Sequence, residues 1–185
     1  DLARALAGVH TAYYLLHSIN VATDFGDIES AMARSFALAS EKAHVAQIIY
    51  LGGIANDENR SRHLTSRMNT GSQLASTSVP VLELRAGIII GSGSASFEML
   101  RHLTHRLPIM TTPKWVSNRT QPIAIRDVLY YLRSAANLTH PENRICDIGG
   151  PEVVTYAAMM QNFSKLSGLR KRIIIQVPVL TPKLS

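Results

Sequence analysis

A histidine and an arginine form the most suggestive pair of reactive residues in the sequence. His63 and Arg67 are four positions apart, so on a helix they would lie one turn apart on the same face. A fixed cation beside an imidazole is expected to lower the pKa of His63 and to keep its ring neutral at pH 7. The pair is suited to moving a proton, with Arg67 holding ribose hydroxyls or a phosphate. Ordinary solvated helix faces show the same spacing, and that interpretation stays open.

Two further motifs favour structural interpretations. Residues 91–96, GSGSAS, follow an apolar run and partly match the dinucleotide pattern G-x-G-x-x-G, but the carboxylate expected about 20 residues later is absent. This pattern favours a flexible turn over a phosphate cradle. His102 and His105 have helical spacing, yet no Asp, Cys or further His is spaced to join them, so no metal site is predicted.

Strands and helices that alternate along the chain must position these residues. Residues 12–16, 47–51 and 81–90 are short apolar runs typical of buried strands, and residues 27–42 and 61–75 have helical patterns. This order predicts an α/β fold with a doubly wound parallel sheet. Because ligands bind beyond the carboxyl ends of such strands, His63 and Arg67 are expected near that edge.

The sequence changes character after residue 93. Helices are expected over residues 94–106, from about residue 126 and over 155–166, with short strands at 122–125, 145–148 and 172–177. We therefore expect residues 1–93 to form part of a doubly wound α/β domain. Residues 94–185 are expected to form mainly a small α+β lobe, with elements that return to the first domain.

Composition excludes several classes of protein. The chain is 46% hydrophobic and 17% charged, so it can bury a core, and no apolar run approaches the ~20 residues of a membrane span. Cys146 is the only cysteine, which fits a cytoplasmic protein without disulfides. The formal charge of +6 favours anionic partners, but the basic residues are scattered and lack interleaved aromatics. Nucleic-acid binding is therefore not favoured.

Several sequence blocks resemble the atypical short-chain dehydrogenase/reductases. They are YYLLHS at residues 13–18, IIYLGG at 48–53, LRAGIIIGSGSASFEM at 84–99 and QPIAIRDVL at 121–129. In this order they are similar to the bacterial NmrA-like, NAD(P)H-binding proteins, often described as nucleoside-diphosphate-sugar epimerases. The resemblance implies NAD or NADP as cofactor and an unidentified small or nucleotide-linked substrate. It implies that residues 1–93 are part of an NAD(P)-binding Rossmann-type domain and that residues 94–185 are mainly a substrate-binding lobe. It also implies an N-terminal truncation, because the family's glycine-rich loop lies on an earlier strand.

The resemblance assigns roles to individual residues. Typical members use Tyr-x-x-x-Lys with an upstream serine; here His63 takes the place of the tyrosine, Arg67 that of the lysine, and Gly52 or Gly53 that of the serine. The remaining expected cofactor contacts border the ribose and pyrophosphate or flank the nicotinamide. They are Leu16, His17 and Ser18 in the first group and Ala86, Gly87, Ile88 and Ile89 in the second.

Two functions are compatible with these substitutions. In the first, the protein is an oxidoreductase or epimerase-like enzyme in which His63 is the acid/base and Arg67 anchors the ribose. In the second, it binds NADP(H) without turnover and reports the cofactor's redox state to a partner, as some NmrA-like relatives are thought to do. Loss of the tyrosine and serine favours the second function, and the retained polar pair favours the first. The sequence leaves a homodimer open.

Overall fold

The computed structural model describes residues 2–16, 25–54, 62–139 and 141–177, with the side chains of 25 and 62–67 excepted. The elements in chain order are α1 (Leu2–Leu6), β1 (Thr11–Tyr14), α2 (Phe25–Lys42), β2 (Gln47–Gly53), α3 (Arg62–Leu74), β3 (Val81–Ala86), β4 (Ile89–Ile90), α4 (Ala95–Arg106), β5 (Ile109–Thr112), a 3-10 helix (Lys114–Ser117), β6 (Arg119–Thr120), β7 (Ile123–Ala124), α5 (Ile125–Ala135), β8 (Arg144–Ile148), β9 (Val154–Thr155), α6 (Tyr156–Leu166) and β10 (Ile173–Gln176).

These elements form two compact units. Unit 1 consists of Asp1–Ala86 and Val128–Ile148, and unit 2 consists of Gly87–Asp127 and Gly149–Ser185. The chain therefore leaves unit 1 directly after β3, returns through most of α5 and β8, and leaves again. The functional division expected at residue 93 stays a prediction, because these units describe packing rather than binding.

Unit 1 is built on a four-stranded sheet in the order β1-β2-β3-β8. All three neighbouring pairs are parallel. This arrangement confirms the predicted α/β class and its parallel sheet. The last strand, β8, comes from the second half of the sequence, so the expectation that part of this half returns to the sheet also describes the observed topology.

One face of the sheet packs against α2 through aromatic side chains. The ring of Tyr14 lies 5.1 Å from that of Phe36 and 6.0 Å from that of Tyr50, both edge-on. Together with Ile48 and Leu74, which are fully buried, these rings belong to the core of unit 1. The helical spacing of apolar residues in α2 therefore matches a helix that covers a sheet face.

The opposite face of the sheet meets the C-terminal part of α5. Side chains alternate between faces along a strand, so Tyr13 points away from Tyr14, and its hydroxyl donates to the carbonyl of Leu132 at 3.1 Å. Gln47 is buried, and its amide donates to the carbonyls of Ala135 and Ala136. These bonds satisfy carbonyls at the end of α5 that lack helical partners.

The prediction of a single strand over residues 81–90 is wrong. Its first part is β3 in unit 1, whereas Ile89 and Ile90 form β4 in unit 2, where they pair with β7. Between them Ile88 accepts a backbone hydrogen bond from Ile123. The apolar run continues across the break because both short strands are buried or half-buried, so hydropathy alone cannot divide them.

In the part of unit 2 that the structure describes, up to residue 177, there are three two-stranded sheets and two long helices. β5 and β10 are parallel, β4 and β7 are parallel, and β6 and β9 are antiparallel. Its core contains Leu100, Met110, Met159 and Met160, which join α4, β5 and α6. β5 was not expected from the sequence, because its second half falls in the polar stretch 111–121.

The buried side chain of Arg172 caps the C-terminal end of α4. The guanidinium of Arg172 donates to the carbonyl of Thr104 at 2.7 Å and to that of His105 at 3.4 Å, and only 8% of the residue is exposed. These are among the last carbonyls of the helix, where a cation is favoured. Arg172 therefore ties the segment before β10 to α4.

In the parts of the chain that the structure describes, no helix is both long enough and apolar enough to cross a bilayer.

Candidate functional site

The three strands predicted to point toward a common edge do so. β2 lies between β1 and β3, with Tyr14 opposite Tyr50 and Gly53 opposite Ala86. Because all are parallel, their carboxyl ends face the same way, and the ends of neighbouring parallel strands are where open α/β sheets bind ligands. We call this the carboxyl edge of unit 1.

Small or exposed apolar residues occupy the carboxyl edge. Leu16, two residues after β1, is 55% exposed. Gly53 and Ala86 end their strands and are buried. The backbone continues the pairing for one more residue, because the N–H of Ile54 donates to the carbonyl of Ala86 at 3.1 Å. No bulky side chain of these strand ends projects over the edge from Gly53 or Ala86.

The predicted catalytic pair is only partly within the described structure. His63 and Arg67 lie in α3, which follows β2, so both are on a helix as expected. Their side chains lie outside the described residues, and so do His17 and Ser18 altogether. The roles assigned to these four residues stay predictions.

Three residues expected to flank the nicotinamide belong to unit 2. Gly87, Ile88 and Ile89 follow the point where the chain leaves the sheet, whereas Ala86 ends β3 in unit 1. Ile88 is buried in the core of unit 2. The expected contact of these four residues with the nicotinamide stays a prediction.

Gly52 is required by packing inside unit 1. A Cβ atom on Gly52 would lie 2.9 Å from Oε1 of Glu83 and 3.3 Å from the ring of Tyr50. Glu83 pairs with Tyr50 in the register of β2 and β3. The resemblance places the serine at Gly52 or Gly53, and a side chain at Gly52 would have to displace the carboxyl group of Glu83.

Glu83 is the functional candidate that sequence reasoning missed. Only 8% of this residue is exposed, although it lies in the middle of β3. Burial raises the pKa of the Glu83 carboxyl group; the positive charge of Arg85 opposes this increase, and the negative charge of Asp147 adds to it. The available signal was the acidic residue within the run VLELRA, because a carboxylate in a central strand is costly to bury.

Arg85 and Asp147 form an ion pair beside Glu83. The residues are opposite each other in the register of β3 and β8, and Nε of Arg85 lies 2.7 Å from Oδ1 of Asp147. Their side chains are 26% and 53% exposed. Since Arg85 is two residues after Glu83, both side chains lie on the same face of the sheet.

The glycine-rich turn after β4 has a structural explanation. A Cβ atom on Gly91 would lie 2.6 Å from Cγ2 of Ile125, so close packing requires this glycine. Gly93 has φ of 83°, a conformation that L side chains rarely adopt. The two glycines thus satisfy the geometry of unit 2 without reference to a phosphate.

The histidine pair on α4 forms no evident metal centre. His105 lies against Phe163, with 5.5 Å between ring centroids. Within residues 2–16, 25–54, 62–139 and 141–177, no group of three His, Cys, Asp or Glu side chains is arranged to hold a metal ion.

Sequence comparison gives no match to a protein-family profile or to a curated protein. Solved structures are similar in fold. A UDP-glucuronic acid 4-epimerase from Bacillus cereus in complex with NAD has a TM-score of 0.76 and 13% identity, over 96% of this chain and 66% of the epimerase. A triphenylmethane reductase from Citrobacter sp. complexed with NADP(H) has a TM-score of 0.71 and 18% identity, over 97% of this chain and 59% of the reductase.

A third similar structure carries the superfamily name. It is a short-chain dehydrogenase/reductase superfamily protein from Agrobacterium tumefaciens with bound NAD, with a TM-score of 0.71 and 15% identity, over 96% of this chain and 70% of that protein. Identities this low establish a shared fold and not a shared activity. The chain therefore shares the Rossmann-type α/β fold of these structures, the fold that its sequence resemblance implied.

Proposed function

We propose that this chain is the NAD(P)-binding part of an oxidoreductase or epimerase-like protein that acts on a small or nucleotide-linked substrate. The observation that carries the proposal is the carboxyl edge of unit 1, where parallel strands end beside one another and α3 follows β2. The similar structures with bound NAD or NADP(H) support the same assignment.

The described residues at the carboxyl edge fit a dinucleotide. Gly53 and Ala86 leave the strand ends unobstructed by long side chains, and small residues let a cofactor approach the backbone closely. The half-exposed side chains of Leu15 and Leu16 offer apolar surface for an aromatic ring. When bound, a nicotinamide cofactor supplies hydride-transfer chemistry.

In the catalytic form of the proposal, His63 exchanges a proton with a substrate oxygen and Arg67 holds the nicotinamide ribose. Both residues lie in α3, four positions apart, so they share one helix face. An imidazole has a much lower ordinary pKa than the tyrosine phenol of typical relatives. The protein would therefore carry out its proton transfer with a different acid from theirs.

A non-catalytic NADP(H) sensor of the NmrA-like kind is the second candidate. It is favoured by the glycines at positions 52 and 53, one of which takes the place of the usual catalytic serine, and by the contact that a side chain at Gly52 would make with Glu83. A sensor needs Arg67 for ribose or phosphate contact and does not need His63.

Turnover by the full-length protein distinguishes the two functions. NADPH oxidation with a panel of small carbonyl compounds should disappear in His63→Ala and persist in His102→Ala, a control histidine that is exposed on α4. An unchanged rate in His63→Ala would remove the proposed catalytic role.

Cofactor affinity provides the complementary test. A sensor should bind NADPH with unchanged affinity in His63→Ala and about tenfold more weakly in Arg67→Ala, since a charge-assisted contact is lost. Arg106→Ala removes an exposed arginine at the end of α4 and serves as the control. Equal affinity in Arg67→Ala and the unmodified protein would contradict the ribose contact.

Several finer assignments are part of this proposal. We infer a cytoplasmic protein of bacterial type in which residues 1–93 serve mainly the cofactor and residues 94–185 mainly the substrate. A single half-buried cysteine, Cys146, supports a reducing location. The proposal includes a homodimer, which light scattering of the purified protein would test.

A further inference from the structure

A cavity lies on one face of the sheet of unit 1, between α3 and the strands β3 and β8. Its volume is about 300 Å³. Met68, Gly71 and Ala75 line it from the helix side, and Glu83, Arg85 and Ile145 line it from the sheet. All of these residues belong to unit 1. We call this space the Glu83 cavity.

Glu83 brings a buried carboxyl group to this cavity. The residue is more than nine-tenths buried, and Oε2 is so close to Gly71 that a Cβ atom there would lie 2.4 Å away. Among the described residues, the Glu83 carboxyl group interacts with the charges of Arg85 and Asp147 but has no hydrogen-bond donor. Because Glu83 lines the cavity, its carboxyl group is available to a ligand that enters there.

The charges that surround Glu83 indicate which kind of ligand would bind in the cavity. Arg85 is paired with Asp147 at 2.7 Å, so its positive charge is already balanced. Arg144 also lines the cavity, and its charge is balanced by Glu142. An ionised Glu83 therefore leaves one negative charge in excess among these residues. A ligand with one positive charge would balance it, whereas an anion would add to the repulsion.

The remaining lining is mixed. Met68, Ala75, Val81 and Ile145 present apolar surface that suits an aliphatic chain, whereas Ser72, Asn143 and Arg144 are polar. A cavity of this size and mixed lining suits a small molecule with one convergent polar contact. Since no group of three potential metal ligands occurs among the described residues, a coordinated metal ion is a poorer match.

We propose that the Glu83 cavity binds a small alkylammonium compound, with the ammonium group donating to Glu83 and the alkyl chain lying against Met68 and Ile145. This site does not depend on the proposed cofactor function, because it uses other residues and lies on a face of the sheet rather than at its carboxyl edge.

Methyl NMR with n-butylammonium as the probe tests the proposal. Titration of the full-length protein should shift the Met68 and Ile145 methyl resonances saturably. n-Butanol, which has the same alkyl chain without the charge, should bind at least about tenfold more weakly. Shifts that do not saturate, or equal binding of the alcohol, would overturn the proposal and indicate that only water occupies the cavity.

Two sets of variants identify the carboxylate as the partner. Glu83→Gln keeps the shape of the side chain and should weaken n-butylammonium binding about tenfold or more; unchanged affinity would overturn the proposal. If this variant does not fold, Ile145→Lys provides the second test. Ile145 is opposite Glu83 in the register of β3 and β8, so a lysine there supplies an internal ammonium group.

The ammonium group of the introduced lysine should compete with n-butylammonium for Glu83. Ile145→Lys should lose n-butylammonium binding, while Ile145→Met, which keeps a long apolar side chain, should retain it within about threefold. Equal affinities in the two variants would show that Glu83 does not receive the ammonium group.

Discussion

Gly71 of α3 lies directly against the carboxyl group of Glu83 in β3. A Cβ atom on Gly71 would come within 2.4 Å of Oε2, closer than any real contact allows. A side chain at position 71 would therefore have to displace the Glu83 carboxyl group or move α3 away from the sheet. Because α3 also carries His63 and Arg67, this contact helps to fix the helix that bears the predicted catalytic pair.

Gly71→Ala should destabilise the protein despite the better helix propensity of alanine. The added methyl group must displace Glu83 or α3, at a cost of about 1–3 kcal/mol. Gly26→Ala is the matched control, since Gly26 also lies in a helix and its Cβ would meet nothing within 4 Å; it should be neutral or stabilising by up to about 1 kcal/mol. Urea unfolding measures both variants, and equal effects would refute the close contact.

Glu83 should make stability fall as pH rises. Its folded-state pKa is raised, so the native protein keeps this proton at pH values where the unfolded chain has lost it. The stabilisation is fully present below the unfolded pKa and is lost as pH rises through the folded pKa. The difference in unfolding free energy between the unmodified protein and Glu83→Gln should decrease over this range. A difference independent of pH would contradict the raised pKa.

Glu41 should show the opposite pH dependence. Its carboxylate accepts hydrogen bonds from the backbone N–H of Ser78 at 2.9 Å and from its hydroxyl at 2.7 Å. These bonds lower the pKa of Glu41. Their stabilisation is present above the unfolded pKa and disappears as pH falls through the folded pKa. The difference in unfolding free energy between the unmodified protein and Glu41→Gln should therefore increase as pH rises, whereas the difference for Glu83→Gln should decrease. A decrease for Glu41→Gln as well would be inconsistent with these bonds.

Arg172→Met should destabilise unit 2. The substitution removes the buried donor to the carbonyls of Thr104 and His105, and we expect a loss of about 2–4 kcal/mol. Lys171→Met removes an exposed neighbouring charge and should have little effect. Trp115, the only tryptophan, packs edge-on against Tyr156 within unit 2. Its fluorescence during urea unfolding reports both variants; comparable midpoints would show that the buried arginine adds little.

The parallel sheet could be predicted because its strands are short apolar runs separated by helical patterns. The break after Ala86 could not, because Ile88, Ile89 and Ile90 continue the apolar run into another unit. Similarly, residues 144–148 are a weakly apolar strand whose sequence does not show that they join β3. Long-range pairing decides both outcomes, and local hydropathy carries no information about it.

The candidate sites show the same limit. His63 and Arg67 could be selected because both are polar, close in sequence and next to a predicted strand end. The Glu83 cavity combines Met68, Glu83 and Ile145, which are far apart in the chain and are brought together by the register of β3 and β8 and the packing of α3. Sequence spacing can therefore suggest the pair of His63 and Arg67, whose role stays a prediction, but it cannot bring together residues as distant in the chain as those of the Glu83 cavity.

The central claim is that a dinucleotide binds at the carboxyl edge of unit 1, and methyl NMR during an NADPH titration of the full-length protein tests it most directly. We predict saturable shifts for Leu16 and Ala86 at that edge, with little change for Val81 at the opposite end of β3. Equal shifts at Val81, or none at Leu16 and Ala86 under saturating NADPH, would contradict the claim.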